Sequence, residues 1–262
     1  MESFIFMLRP STCRFVYVSG SVTDVLGFEE HQILQLRMAD LLPDGEQELV
    51  SNALSAAVRE NKAAILIYAQ LLHSQQREFV VCQISISVAG NVIVGSIRQA
   101  SLDAIGRTVR DQSAEEVIVA ATELTEHPGM VGYPAFNWTG TRFARTALLL
   151  ERFSTDSTIT HCTSNAILDN EACVHQSFFR YVAPQDEASV RSFITSLKRS
   201  GLQANAATNV GFVYHTFALC VAGRDLRASS AQVSLNGTNE VRVSAVGSAS
   251  SDGFILVLKR EA

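Results

Sequence analysis

A chain of 262 residues that is 47% hydrophobic and only 18% charged carries enough apolar material for one large core or two ordinary ones. Its net charge of -5 argues against a surface for the nucleic-acid backbone, and no apolar run approaches the roughly 18 residues of a membrane span. No basic segment followed by an apolar core opens the chain, so a soluble protein of the cytoplasm or nucleus is expected.

Residues 3 to 8 (SFIFML) and 14 to 18 (RFVYV) read as two short strands joined by a turn at Pro10 and Ser11. A short helical turn at 22 to 27, ended by Gly27, and a second small helix at 28 to 36 follow. Pro43 then leads into a helix from about Glu46 to Asn61, with Val50, Leu54, Ala57 and Val58 as its inner stripe and Asp44 with Gln47 spaced as a capping box. Three strands close this half, at 64 to 72, 79 to 88 and 92 to 98, the last two joined across Gly90 and Asn91.

Residues 100 to 143 differ in texture. The stretch from Asp111 to Glu126 has the acids and apolar spacing of an amphipathic helix. The segment from His127 to Gly140 holds two prolines, three glycines and the sole tryptophan, a linker too apolar to be purely solvated.

The second half repeats the first. Strands are expected at 146 to 153 and 158 to 162, a helical turn at 165 to 168, then Tyr181 to Asp186 as a proline turn in which Asp186 caps the next helix. In that helix Val190, Phe193, Ile194 and Leu197 fall at i, i+3, i+4 and i+7, with Lys198, Arg199 and Gly201 as its stop. Strands follow at 210 to 221, 240 to 246 and 254 to 259. Leu26 corresponds to Leu168 and Pro43 to Pro184, a shift of about 142 in both cases. The final strand is displaced by about 162, which places an insertion of roughly 20 residues, assigned to the polar stretch 222 to 239.

An aromatic pair, a Pro-x-Asp turn, an amphipathic helix ending in glycine and then strands, present in two copies, resembles the PAS sensory domains. The resemblance covers the whole chain, at about 1 to 100 and 144 to 262, with 101 to 143 as linker. It implies an α+β fold of two PAS-like domains, each a five-stranded antiparallel sheet with flanking helices. The first copy's motif and the SSDGFILVLKR ending resemble fungal PAS regulators related to white-collar and bHLH-PAS transcription factors.

The sequence holds no Gly-rich phosphate loop, HExxH or GxSxG, so no catalysis is expected. Light-sensing PAS domains carry an Asn-Cys-Arg-Phe-Leu-Gln type motif; Cys173 stands several residues early and lacks the Arg and Gln partners, so no flavin adduct is expected and no resident cofactor is assigned. Haem through His175 or His215, and zinc through His161, Cys162, Cys173 and His175, are weaker readings, because adjacent residues on a strand point to opposite faces. The five cysteines are odd in number and form no CxxC, so they read as reduced thiols. Phe178, Phe179, Tyr214 and Phe217 would line the small-molecule pocket that the resemblance implies.

The function expected is a non-catalytic signalling module acting through protein association, as a homodimer or a PAS-containing heterodimer, in transcriptional control. Association would use the outer sheet face or a helix preceding the first strand. The alternative is a receptor sensing a small molecule or a haem or flavin cofactor.

Overall fold

The computed structural model describes residues 2–100, 117–118, 144–200, 212–224 and 239–261. The chain forms two antiparallel sheets, each faced by helices, an α+β architecture of two domains. In the first, β1 (Ser3–Arg9), β2 (Arg14–Val18), β3 (Ile65–His73), β4 (Glu78–Ala89) and β5 (Val92–Gln99) lie in the order β2-β1-β5-β4-β3. A two-residue strand, β6 (Val117–Ile118), pairs with the outer edge of β3. The helix expected over 111 to 126 otherwise lies outside the described residues, as does the apolar segment 127 to 140.

In the second domain β7 (Arg145–Glu151), β8 (Ile159–Cys162), β9 (Val213–Cys220), β10 (Glu240–Ala249) and β11 (Gly253–Arg260) repeat the order as β8-β7-β11-β10-β9. These are the five antiparallel strands per half that the resemblance implied.

Helices cover one face of each sheet. In the first domain these are α1 (Val22–Leu26), closed by Gly27 at φ 71°, α2 (Glu30–Ile33) and the long α3 (Asp44–Arg59). Val50, Leu54 and Ala57 of α3 are buried over β3 and β4. The second domain has the short α4 (Asn170–Cys173) and the long α5 (Glu187–Ser200), whose Val190, Phe193, Ile194 and Leu197 are all buried against β9 and β10. The stripe positions read from helical spacing are the ones that meet the sheet.

Two caps differ from expectation. Pro43 occupies the position before α3, so Asp44 is already its first residue, and Gln47 Nε2 donates to Leu42 O and Asp44 Oδ1 at 3.3 Å each instead of closing a box. Residues Pro184–Asp186 form a 3-10 turn continuous with α5, which puts Asp186 inside the helical run. Its carboxylate turns outward and accepts the Ala218 N–H of β9 at 2.7 Å. Ala183 N–H to Ala218 O (2.9 Å) and Cys220 N–H to Tyr181 O (2.7 Å) complete the attachment of the proline turn to the sheet edge.

Strand pairing measures the repeat. Phe6 faces Gly95 as Leu148 faces Leu256, so the offset is 142 at the first strand and 161 at the last. Ile65 faces Ile86 as Val213 faces Gly247, giving 148 at the third strand and 161 at the fourth. The expected insertion of about 20 residues therefore resolves into 6 residues before β9 and 13 between β9 and β10. A single shift read from the chain's end could not divide it.

Core volume is balanced differently in the two copies. A Cβ on Gly95 would meet Ser85 O at 2.1 Å and the Phe6 ring at 2.8 Å, so only glycine fits beneath that ring. The equivalent residue in the second domain is Leu256, and there the glycine sits one strand over, at Gly247. Leu197 and Phe193 of α5 press to within 3.0 Å of where a Cβ on that glycine would stand.

The outer faces of the two sheets pack against each other. Ile5, Met7 and Val94 of the first meet Ala147, Leu149, Ile255 and Val257 of the second in one buried cluster. By the offsets above, Ile5 is equivalent to Ala147, Met7 to Leu149 and Val94 to Ile255. Tyr17 faces Met7 across one ladder and His161 faces Leu149 across the other, so these two are also equivalents. Their rings lie 4.7 Å apart. A residue touching its own counterpart marks a pseudo-two-fold axis, the geometry of an isologous dimer built within one chain.

Polar contacts rim this interface. Ser250 Oγ donates to Ser3 O at 2.8 Å, Ser251 N–H to Ser3 Oγ at 2.9 Å, and Ser21 Oγ to Asp252 Oδ1 at 2.5 Å. On the far side the Arg145 guanidinium, lowered to about 10 by burial, donates to the Asn61 carbonyl.

Candidate functional site

The helix-covered face of the second sheet gathers most of the residues singled out for a pocket. Phe178 and Phe179 sit on a 3-10 turn between α4 and the proline turn, because the fixed φ of Pro184 and its sheet attachment hold that segment across the strands. Phe178 meets Phe179 with centroids 6.0 Å apart and Phe217 of β9 at 6.1 Å in an edge-to-face contact. Phe178 and Phe217 are fully buried and Phe179 nearly so. His215 extends the row, stacked on Phe217 at 6.0 Å and on Phe193 of α5 at 5.4 Å, with Nε2 3.2 Å from Ser189 Oγ.

Tyr214 does not join them. Residues 215, 217 and 219 of β9 face the helices, so the strand's period of two sends Tyr214 to the opposite face. There it packs with Ala63, Ala64 and Val246 at the edge of the contact between domains.

The cluster has a charged margin. The Arg191 guanidinium lies 3.9 Å over the Phe179 ring and pairs with Glu187 at 2.7 Å, while Arg224 reaches the other Glu187 oxygen at 2.6 Å and donates to Val182 O. Arg224 and Arg191 together hold the Glu187 carboxyl below the usual carboxylate range. Tyr181 OH donates to Ala172 O at 3.2 Å, and burial raises its pKa. Among the described residues, no group of three or more His, Cys, Asp or Glu is placed to hold a metal ion. His161 and Cys162 do point to opposite faces of β8, the first onto Tyr17 and the second against the domain core.

Both histidines on these faces titrate low. Burial lowers His161, with His175 adding to it, and burial lowers His215 against an opposing pull from Asp186. A histidine depressed in the folded state takes up its proton more readily when unfolded. Its contribution is therefore complete above about pH 6.5 and is lost as pH falls from there toward the folded value. The thermal midpoint is expected to drop between neutral pH and about pH 5.5, below the ordinary histidine value, and the H161Q/H215Q double variant to flatten that drop. An unchanged slope in the double variant would contradict the assignment.

The sequence reading named the outer sheet face as a surface for association, and what it missed is that the two outer faces meet within one chain. The signal was available: SFIFML, ALLL and FILVL are apolar at consecutive positions, as strands buried on both sides are.

No protein-family model and no curated protein matches the chain. Among solved structures it is similar to the PAS domain of the RpfR quorum-sensing receptor from Cronobacter turicensis in complex with BDSF. That likeness has a TM-score of 0.35 and 8% identity, over 38% of this chain and 96% of that one. The same domain in complex with C12:0 gives 0.34 and 9%, over 38% and 96%. The N-terminal domain of a diguanylate cyclase with PAS/PAC sensor from Marinobacter aquaeolei gives 0.32 and 14%, over 37% and 94%. No helix among the described residues is long and apolar enough to cross a membrane.

Proposed function

We propose that the chain is a non-catalytic tandem PAS signalling module in which the association of two sensor-type domains takes place inside one polypeptide. The observation that carries this reading is the pseudo-two-fold packing of the two outer sheet faces, with Met7 and its equivalent Leu149 in one buried cluster and the Tyr17 ring in tilted contact with its equivalent His161. The resemblance alone leaves that face for a second molecule. Here it is filled, so self-association through it has no free surface. A protein partner, in transcriptional control or another signalling pathway, is left the helical faces and the sheet edges.

A second reading, a receptor for a small molecule, is favoured by His215, a polar ring set into the row of Phe193, Phe217 and Phe178. Native mass spectrometry with light scattering at tens of micromolar separates the two. A ligand-free monomer of 28.5 kDa is the expected result. A stable homodimer would overturn the internal-association reading, and a retained small molecule would move the assignment to the receptor.

A further inference from the structure

We propose that Cys162 and Cys173 form a reversible disulfide, which makes the second domain a site of peroxide modification independent of the signalling reading above. β8 ends at Cys162, and the chain returns across it through α4. Ile159 N–H donates to Gln176 O at 2.9 Å and His175 N–H to Ile159 O at 2.7 Å, so the residues just after Cys173 are laced to the strand that carries Cys162. Cys173 is buried in the core of the domain and Cys162, half-buried, packs against the same core. The Cys162 thiol donates to Ser164 O at 3.4 Å and the Cys173 thiol to Asn170 O at 3.8 Å, and both side chains turn into one core from segments held together by backbone hydrogen bonds. Bonded sulfurs stand at roughly 2.05 Å, a distance that side chains on such neighbouring segments reach by rotation.

The pair is chemically unequal. Cys162 is the more exposed of the two, and the neighbouring thiol holds it below the ordinary range while that same interaction and burial push Cys173 above it. The other three thiols are shifted the opposite way from Cys162: burial raises Cys13 and Cys220, and pushes Cys82 up to about 12. Cys162 is thus the nucleophile and Cys173 the resolving thiol. The Cys162 sulfur attacks one oxygen of hydrogen peroxide, the O–O bond breaks, and the departing hydroxide takes the thiol proton as water. Cys173 then attacks the sulfenic sulfur, the S–O bond breaks, and that hydroxide leaves with the Cys173 proton as a second water. Two thiols lose two electrons and two protons, and peroxide accepts both. The bond would clamp β8 to α4, whose Ala172 carbonyl receives the Tyr181 hydroxyl beside Phe178 and Phe179.

Trypsin cuts after Arg152 and Arg180 and nowhere between, so both cysteines fall in one peptide, residues 153 to 180. After mild peroxide treatment of the folded chain and alkylation in denaturant, that peptide is expected two hydrogens lighter and without alkyl labels. A thiol reductant should restore both labels. Two labels retained after peroxide, over-oxidised Cys162 beside a labelled Cys173, or a disulfide between two chains on a non-reducing gel would each overturn the proposal. Peroxide treatment in urea should close the bond more slowly; an equal rate would show that nearness in sequence, rather than the fold, pairs them. In C173S, Cys162 is expected to stop at a sulfenic acid captured by dimedone. Should that variant fail to fold, the peptide map of the unsubstituted chain still decides.

Discussion

Phe217→Ala is expected to destabilise the second domain by about 3–5 kcal/mol, the usual cost of emptying a large aromatic site in a closed core. Phe217 is fully buried, meets Phe178 edge-to-face and carries His215 stacked on its other side. Its removal opens a void that neither backbone can fill, because the proline turn is bonded to β9 at Ala218 and Cys220 and α5 follows without a break. Urea denaturation followed by a second-domain probe should show the loss. The core of the first domain is a separate cluster, so its own transition should move much less. Tyr214→Ala, three residues earlier on the other face, should cost well under half as much, since Tyr214 is only partly buried. Equal losses at 214 and 217 would contradict the alternation of β9.

That comparison also marks how far the sequence can be read. Helices declare their own inner face: the spacing of Val190, Phe193, Ile194 and Leu197 leaves one stripe, and all four are buried. A strand declares only that its faces alternate. In YHTFAL, Tyr214 and Phe217 stand three apart and fall on opposite faces by alternation alone, so grouping them as aromatic rings overlooks the period, while the polar His215 takes the aromatic side. The repeat is legible because Leu26 and Leu168, both buried, and the two prolines keep a nearly constant separation. The insertions are not divisible from sequence, because the intermediate landmarks are pairing registers, which exist only in the folded sheet. A place just after a proline suggests a cap for Asp186. Its use by Ala218, 32 residues away, is a tertiary contact that no local pattern encodes.

Leu149→Asp tests the pairing of the domains. Leu149 lies in β7 between Leu148 and Leu150, which face the core of their own domain, so its side chain points away from that core and into the outer-face cluster. It is 2% exposed there. Removing the leucine forfeits about 1.5–3 kcal/mol of apolar burial. A carboxylate left without a partner at that spot adds several more, a penalty that is relieved if the two sheets separate. Each domain keeps its own core, so separation rather than unfolding is the expected outcome: a larger radius of gyration by small-angle scattering with the strand and helix signals retained. The uncovered faces, lined by Ile5, Met7, Val94, Ile255 and Val257, would then meet those of other molecules, and the variant should associate with rising concentration where the parent does not. Leu49→Asp, at a position already 46% exposed on α3, is the matched control and should leave the scattering unchanged. If Leu149→Asp kept the parent's radius and monomeric mass, the two sheets would not be held together by this cluster. The outer faces would then not form an internal pseudo-dimer and would remain open to a second subunit.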